Sequence, residues 1–135
     1  QCGSRYYDKY KNFNSKLLKV LPFIKEMDKA FSAASIIISR SGASIISELC
    51  FVGKPVIFIP SPNVAEDHQT KNAMSLVNKS AAILIEDNQT DSLLRTAMDL
   101  LKDENQLNTI SQNAKKMGKP NATNDIVNEI FKLIS

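Results

Sequence analysis

The chain has 135 residues, of which 43% are hydrophobic and 23% are charged, a balance typical of a folded globular protein and unlike that of a disordered chain. This length is that of one ordinary domain. The 17 basic and 14 acidic residues give a net charge of +3, which is too small to indicate nucleic acid as a partner.

The two cysteines, Cys2 and Cys50, are too few for a disulfide framework, and no histidine or cysteine cluster has the spacing of metal ligands. We therefore predict neither a metal site nor a cofactor. Cys50 lies in an apolar stretch and is predicted to be a buried free thiol. The longest apolar runs, residues 36–38 and 56–59, have the length of strands and are far shorter than the ~20 residues of a membrane-spanning helix.

Short apolar strands alternate with amphipathic helices along the chain. In chain order, the predicted elements are a helix over residues 5–13, a strand over 17–21, a helix over 25–33, strands over 35–39 and 56–59 with a helix between them that ends at 52, a helix over 67–78, a strand over 81–85, and helices over 90–102, 103–117 and 124–134. Residues 61–66 are predicted to form a loop, and Gly53 is predicted to end a helix as its C-terminal cap.

The strands predicted over residues 35–39 and 56–59 are apolar throughout, which is typical of strands buried on both faces of a parallel sheet. Together with the strand–helix alternation, this pattern predicts an α/β fold, with a parallel sheet covered by helices on both faces, in one domain over residues 1–135. Ligands of such sheets bind outside the carboxyl ends of the strands. We therefore expect functional residues after positions 21, 39 and 60.

The segment from Ser39 to Ser44 lies between a predicted strand and a predicted helix and consists mainly of small residues. Small residues let a ligand approach the backbone, and the free N–H groups of a helix's first turn favour an anion such as phosphate. Arg40, Ser41 and Ser44 supply further possible donors. The alternative is an ordinary strand-to-helix turn with a serine cap.

Two further groups on predicted helices have side chains that suit a sugar nucleotide. Glu48 follows Ser44 by four residues, on the same helix face, where a carboxylate can accept hydrogen bonds from ribose hydroxyls. Gln69 and Asn72 are three residues apart, and their amides suit sugar hydroxyls. The alternative for Glu48 is a solvated helix glutamate. For His68, the only histidine of the chain, we predict a capping or packing role rather than that of a base.

Several short motifs together resemble the MurG family of bacterial transferases, which add N-acetylglucosamine to lipid I and form lipid II in peptidoglycan synthesis. The motifs are residues 40–43, 47–49, 53–55, 60–62, 67–69 and 72–73, in this order and spacing. Residues 22–27 are similar to the loop that this family places beside the uracil. The resemblance covers residues 15–86 well and the flanking helices more loosely.

This resemblance implies the donor-nucleotide half of a GT-B glycosyltransferase, a Rossmann-like domain that lacks its first strand and the acceptor domain. It implies that Ile24 contacts the uracil, that Ala43, Ser44 and Ile45 line the diphosphate, that Glu48 holds the ribose, and that Gln69 and Asn72 bind the sugar. The complete predicted donor site is Ile24, Arg40, Ser41, Gly42, Ala43, Ser44, Ile45, Ile46, Ser47, Glu48, Gln69 and Asn72.

The resemblance also implies the partners: UDP-N-acetylglucosamine as donor, lipid I held by the missing N-terminal half, and the inner membrane surface, with the full-length protein cytoplasmic and peripheral on that surface. For the full-length protein we expect an inverting transfer. We expect it to need no metal, because the helix dipole and backbone donors can stabilise the leaving UDP and no Asp-x-Asp motif is present. Since the acceptor half and the family's Gly-Gly-Ser loop are absent, we expect no turnover by this chain alone.

Three alternatives stay open from the sequence. The first is the donor half of a related transferase with a dolichol-linked or glycolipid acceptor. The second is a non-catalytic module that binds nucleotide sugars, and the third is a structural domain without a ligand. Titration with UDP-N-acetylglucosamine, UDP-glucose and UDP separates these alternatives.

Overall fold

The computed structural model describes residues 1–62 and 67–134. Its residues form two compact units, residues 1–34 and residues 35–135. The single domain predicted over residues 1–135 therefore stays a prediction, and each unit is described by itself.

The first unit contains two helices. Helix α1 (Ser4–Tyr10) continues into a short 3-10 helix (Lys11–Phe13), and helix α2 spans Met27–Ala33. Both predicted helices of this region are confirmed. Phe31 of α2 is the one side chain of this unit that is buried among the described residues.

The strand predicted over residues 17–21 is wrong, because this segment is irregular. The Ser15 hydroxyl oxygen accepts hydrogen bonds from the backbone N–H groups of Leu17 and Leu18 at 3.2 and 3.1 Å, and the Ser15 N–H donates to the Leu18 carbonyl at 2.9 Å. Leu17 is fully exposed. A serine thus satisfies locally the N–H groups that a strand would direct to a neighbouring strand.

The second unit is built on a parallel sheet whose strands follow the order β1 (Ile37–Ser39), β2 (Val56–Phe58), β3 (Ile83–Leu84). Ile38 pairs with Ile57, and Phe58 pairs with Leu84. All of β2 is buried, as its unbroken apolar sequence predicts for the central strand of a parallel sheet. The strand predictions for this unit are confirmed, with shorter bounds.

Helices join and follow these strands. The bounds are α3 (Ala43–Val52) between β1 and β2, α4 (His68–Val77) between β2 and β3, a second 3-10 helix (Asp87–Ser92), and then α5 (Leu93–Lys102), α6 (Glu104–Met117) and α7 (Ala122–Ile134). Asp103 caps α6, because its Oδ1 accepts a hydrogen bond from the Gln106 N–H at 2.9 Å. This order of elements is that of an α/β, Rossmann-like fold.

The core of the second unit joins the central strand to the later helices. Its buried members are Ile57, Ile85, Ala97, Leu100 and Ile110. Helix α3 contributes Leu49 and Cys50 to the buried side chains, so the prediction of a buried free thiol is confirmed. Burial raises the pKa of the Cys50 thiol, because desolvation disfavours the thiolate.

The end of α3 is fixed against α6. Gly53 adopts a left-handed conformation with φ 66° and ψ 34°, as predicted for a cap glycine, and its N–H donates to the Leu49 carbonyl at 2.8 Å. The Ser111 hydroxyl donates to the Gly53 carbonyl at 2.5 Å. A Cβ atom at Gly53 would lie 2.1 Å from Cγ of Lys115, so the absence of a side chain there makes room for α6.

Helix α7 carries its apolar residues on an exposed face. The large ones are Ile126, Val127, Ile130, Phe131, Leu133 and Ile134, each between 42% and 85% exposed. Within the described residues, no helix combines the length and the apolar character that crossing a membrane requires.

Candidate functional site

The carboxyl ends of the three strands lie at one edge of the sheet, and the predicted site residues of the second unit lie in the turn after β1 and on helices α3 and α4, which follow β1 and β2. Residues 40–42 follow β1, residues 59–62 follow β2, and residues 85–87 follow β3. Residues 63–66, which include part of the predicted loop and Glu66, lie outside the described residues.

The N-terminus of α3 is open. Gly42 occupies the N-cap position with extended backbone, and no side chain caps the helix. The first intrahelical hydrogen bond runs from Ile46 N–H to the Gly42 carbonyl at 3.1 Å, so the N–H groups of Ala43, Ser44 and Ile45 have no partner in the helix. The serine cap of the alternative is therefore wrong, whereas an ordinary strand-to-helix turn without a ligand stays an alternative. Together with the helix dipole, these N–H groups favour an anion.

Ser41 joins the turn after β1 to α4. Its side chain is fully buried, and its hydroxyl donates to the Gln69 carbonyl at 2.8 Å. The Asn72 side-chain nitrogen donates to the Ser41 carbonyl at 3.5 Å. The Ser41 hydroxyl is thus used within the protein, while its backbone shapes the entrance to α3.

The Gln69 side chain bridges two of the turns. Its Oε1 accepts hydrogen bonds from the backbone N–H of Ser61 at 2.9 Å and of Ser41 at 3.4 Å. Because both partners are N–H donors, the amide oxygen must face them and the Nε2 group points elsewhere. No hydrogen bond of Nε2 is found among residues 1–62 and 67–134, so it can donate to a ligand oxygen.

Arg40 spans the strand ends. Its Nη1 donates to the Ile59 and Pro60 carbonyls at 3.2 and 3.0 Å and to Asp87 Oδ1 at 2.5 Å. Sequence reasoning did not find Asp87. The signal that could have found it is its place directly after the third predicted strand, at the same edge as Arg40.

Glu48 lies on α3, exposed, four residues beyond Ser44. Within the part of the chain that the structure describes, its carboxylate has no hydrogen bond or ion pair, so it can accept hydroxyl hydrogen bonds. The Ser47 hydroxyl instead donates back to the Ala43 carbonyl at 3.1 Å. Ile45 and Ile46 are half-buried, so they contribute backbone and packing rather than polar side chains.

The remaining predicted residues occupy different positions. Ile24 belongs to the first unit, where its N–H donates to Gln1 Oε1 at 2.9 Å, and its role beside a uracil stays a prediction. His68 is the exposed first residue of α4. Asp67 precedes it with φ 55° and accepts a hydrogen bond from the Thr70 hydroxyl at 2.5 Å, without capping the helix backbone. The described residues contain no cluster of His, Cys, Asp and Glu that could hold a metal ion.

The surface hollows lined by described residues include the following two. One of about 350 Å³ opens at the ends of β2 and β3 and is lined by residues 60–62 and 86–88, with Asp67 and Thr70. The other, of about 640 Å³, lies at the corner between α5 and α6. Since ligands of parallel sheets bind at the carboxyl edge, the smaller hollow is the relevant one.

The parallel sheet, the uncapped helix after its first strand and the polar turns at its carboxyl edge define a Rossmann-like domain of the kind that binds nucleotides. The sequence model of the glycosyltransferase family 28 C-terminal domain matches residues 1–126. The chain belongs to this family.

Similar proteins include two enzymes named UDP-N-acetylglucosamine--N-acetylmuramyl-(pentapeptide) pyrophosphoryl-undecaprenol N-acetylglucosamine transferase. The one from Flavobacterium psychrophilum is 54% identical over 99% of this chain, and the one from Christiangramia forsetii is 50% identical over 100%. The crystal structure of Acinetobacter baumannii MurG superposes with a TM-score of 0.85, at 32% identity over 98% of this chain and 40% of that one. The chain spans 37% of the length of the two named relatives.

Proposed function

We propose that this chain is the donor-binding half of an inverting glycosyltransferase that transfers N-acetylglucosamine from UDP-N-acetylglucosamine to lipid I. The observation that carries the proposal is the open, uncapped N-terminus of α3 at the sheet edge, in a family 28 C-terminal domain. The N–H groups of Ala43, Ser44 and Ile45 would hold the diphosphate, and Glu48 would accept the ribose hydroxyls.

The reaction that we propose makes use of this placement. The 4-hydroxyl oxygen of the acceptor's N-acetylmuramoyl unit attacks the anomeric carbon of the donor sugar, and the bond from that carbon to the diphosphate oxygen breaks. The hydroxyl proton passes to a base, for which we propose no residue of this chain. UDP leaves with its negative charge stabilised by the N–H groups and dipole of α3, an electrostatic contribution to catalysis.

The sugar would be recognised at α4. Nε2 of Gln69, which has no hydrogen-bond partner in the described part of the chain, can donate to one sugar hydroxyl. Oδ1 of Asn72 can accept from another, because the Asn72 nitrogen donates to the Ser41 carbonyl. Arg40 and Ser41 would act by shaping the turn of residues 40–42, which we call the phosphate turn, because Arg40 Nη1 donates to the Pro60 carbonyl and the Ser41 hydroxyl donates to the Gln69 carbonyl.

The acceptor and the location are part of the same proposal. The names of the two relatives include an undecaprenol carrier, which is a membrane lipid. We propose that the longer protein holds lipid I with its other half and works as a cytoplasmic, peripheral protein at the inner membrane surface.

Calorimetric titration of the 135-residue chain with UDP-N-acetylglucosamine, UDP-glucose and UDP tests the donor role. We expect binding of UDP-N-acetylglucosamine and UDP, with weaker binding of UDP-glucose. Glu48→Ala should weaken the binding free energy by about 1.5–3 kcal/mol, the usual contribution of hydrogen bonds to a charged group.

The matched control is Glu104→Ala, which removes an exposed helical glutamate in the first turn of α6. It should leave the affinity for UDP unchanged. Absence of binding of all three ligands would contradict the proposal, and tighter binding of UDP-glucose would favour the donor half of a related transferase.

A further inference from the structure

Asp87 makes a contact that ties together the ends of all three strands. The residue begins the 3-10 helix that follows β3, and its Oδ1 lies 2.5 Å from Nη1 of Arg40, which follows β1. The same Nη1 donates to the carbonyls of Ile59 and Pro60, which follow β2. One guanidinium nitrogen therefore reaches all three strand ends.

The Asp87 carboxylate is the strongest of the three acceptors of Arg40 Nη1 and therefore fixes the position of this nitrogen. Nη1 carries two hydrogen atoms and faces three acceptors, of which only Asp87 is charged. Without that charge, Arg40 would keep only two neutral carbonyl partners. The side chains of Arg40 and Asp87 are 54% and 38% exposed, so the ion pair contributes little to global stability. The ion pair therefore acts on the position of the Arg40 side chain rather than on the stability of the chain.

The contact between Arg40 and Asp87 adjoins two turns of the candidate donor site, the one after β1 and the one after β2. Arg40 directly precedes Ser41 and Gly42, which lead into the open end of α3. Pro60 directly precedes Ser61, whose N–H holds the Gln69 amide oxygen at 2.9 Å. A displacement of the Arg40 side chain would therefore move the phosphate turn and, through Ser61, the Gln69 amide that we propose binds the sugar.

We propose that Asp87 is a positioning residue of the donor site, which acts through Arg40 to hold the phosphate turn and the Gln69 amide in place. The inference rests on the proposed function and adds a residue that the sequence motifs do not contain. The opposing account makes Arg40 a direct ligand of the diphosphate, with Asp87 competing for its charge.

The two accounts give opposite signs for Asp87→Asn. If Asp87 positions the site, the variant binds UDP-N-acetylglucosamine about 3- to 10-fold more weakly, in the range of coupling between residues in contact. If Asp87 only competes with the diphosphate for Arg40, the variant binds more tightly. Calorimetry on the 135-residue chain measures both outcomes, and tighter or unchanged binding would overturn the inference.

A double-mutant cycle tests the route through Arg40. We expect Arg40→Gln to weaken binding at least as much as Asp87→Asn, and the double variant to bind no more weakly than Arg40→Gln alone, because the carboxylate acts only through the guanidinium. Additive losses would overturn the route. Asp87→Glu, which keeps the carboxylate, should restore most of the affinity.

Asp91→Asn is the matched control, since Asp91 is an exposed aspartate of the same 3-10 helix. This control should leave the affinity for UDP-N-acetylglucosamine unchanged. Urea unfolding of each variant separates positioning from stability, because a merely structural role would lower the unfolding midpoint without changing the affinity of the folded chain. If the unsubstituted chain binds no UDP-N-acetylglucosamine, the proposed function fails and this inference fails with it. If the unsubstituted chain binds normally and Asp87→Asn binds equally well, only this inference is overturned.

Discussion

A single buried hydroxyl holds two parts of the candidate site together. Ser41 is fully buried and donates from its side chain to the Gln69 carbonyl at 2.8 Å, across from α4. Serine is usually a surface residue, and a buried hydroxyl is tolerated only when it is hydrogen-bonded. The serine at this position therefore stabilises the turn of residues 40–42 that follows β1.

Ser41→Ala should lower the free energy of unfolding by about 1–2 kcal/mol, because it removes a buried hydrogen bond and leaves the carbonyl oxygen with one partner fewer. Urea denaturation measures the loss. Ser47→Ala is the control, since that hydroxyl is exposed and bonds only to its own helix at 3.1 Å. An equal effect of both substitutions would contradict the structural role of Ser41.

Cys50 gives a prediction for the dependence of stability on pH. Burial raises the pKa of its thiol, so the folded chain keeps the proton at pH values at which the unfolded chain loses it. The unfolded state then binds fewer protons, and the free energy of unfolding falls as pH rises above the ordinary thiol pKa. Urea denaturation between neutral and alkaline pH measures this slope.

Two variants isolate the cysteine contribution. Cys50→Ala should reduce the alkaline slope, whereas Cys2→Ser should not remove the contribution of Cys50. In the Cys2→Ser chain, alkylation by iodoacetamide should be slow until the chain is unfolded, because the remaining thiol is buried. Rapid alkylation of the folded chain at neutral pH would contradict this.

The packing of α3 on α6 depends on a position without a side chain. Gly53 combines a left-handed backbone with a neighbour that occupies the place of its missing Cβ. Gly53→Ala should lower the free energy of unfolding by about 1–3 kcal/mol, from the backbone strain and from displacement of Lys115. Thermal or urea unfolding checks this value.

Lys115→Ala alone is the control, because it removes the side chain that lies against Gly53 and leaves the glycine backbone unstrained. The double variant Gly53→Ala with Lys115→Ala should be less destabilised than the sum of its parts, since the shortened side chain no longer meets the added methyl group. Full additivity would show that the contact is unimportant.

The elements of the second unit were predictable because each has a local signal. Unbroken apolar runs predict β1 and β2, and Asp103 marks the start of α6. The strand predicted over residues 17–21 failed because its apolar sequence is also compatible with a turn, and Ser15 decides between the two through local hydrogen bonds.

The candidate site was predictable only in part. The open end of α3 follows from small residues between a strand and a helix, and Glu48 follows from helical spacing. The contacts of Arg40 with Asp87 and of Gln69 with Ser61 join residues that are far apart or belong to different turns. No periodicity encodes such contacts, because they arise only when the sheet brings the strand ends together.

At the scale of the whole molecule, the chain should bind donor without transferring sugar. It spans 37% of the length of its named relatives, and we assign no residue in it to the acceptor or the base. Release of UDP from UDP-N-acetylglucosamine in the presence of lipid I, followed by chromatography, should stay at background. A full-length relative serves as the positive control, and transfer by the 135-residue chain would contradict the assignment.

The proposed sugar contacts of Gln69 and Asn72 have a consequence for ligand selectivity. Three residues apart on α4, Gln69 has its amide nitrogen and Asn72 its amide oxygen without a hydrogen-bond partner among the described residues. A vicinal diol satisfies such a pair, since one hydroxyl oxygen accepts a hydrogen bond from Nε2 of Gln69 while the other hydroxyl donates one to Oδ1 of Asn72. Replacing a single alcohol by fluorine should therefore be tolerated opposite the nitrogen and penalised opposite the oxygen, so a panel of deoxyfluoro sugar nucleotides would report the polarity of this helix face directly.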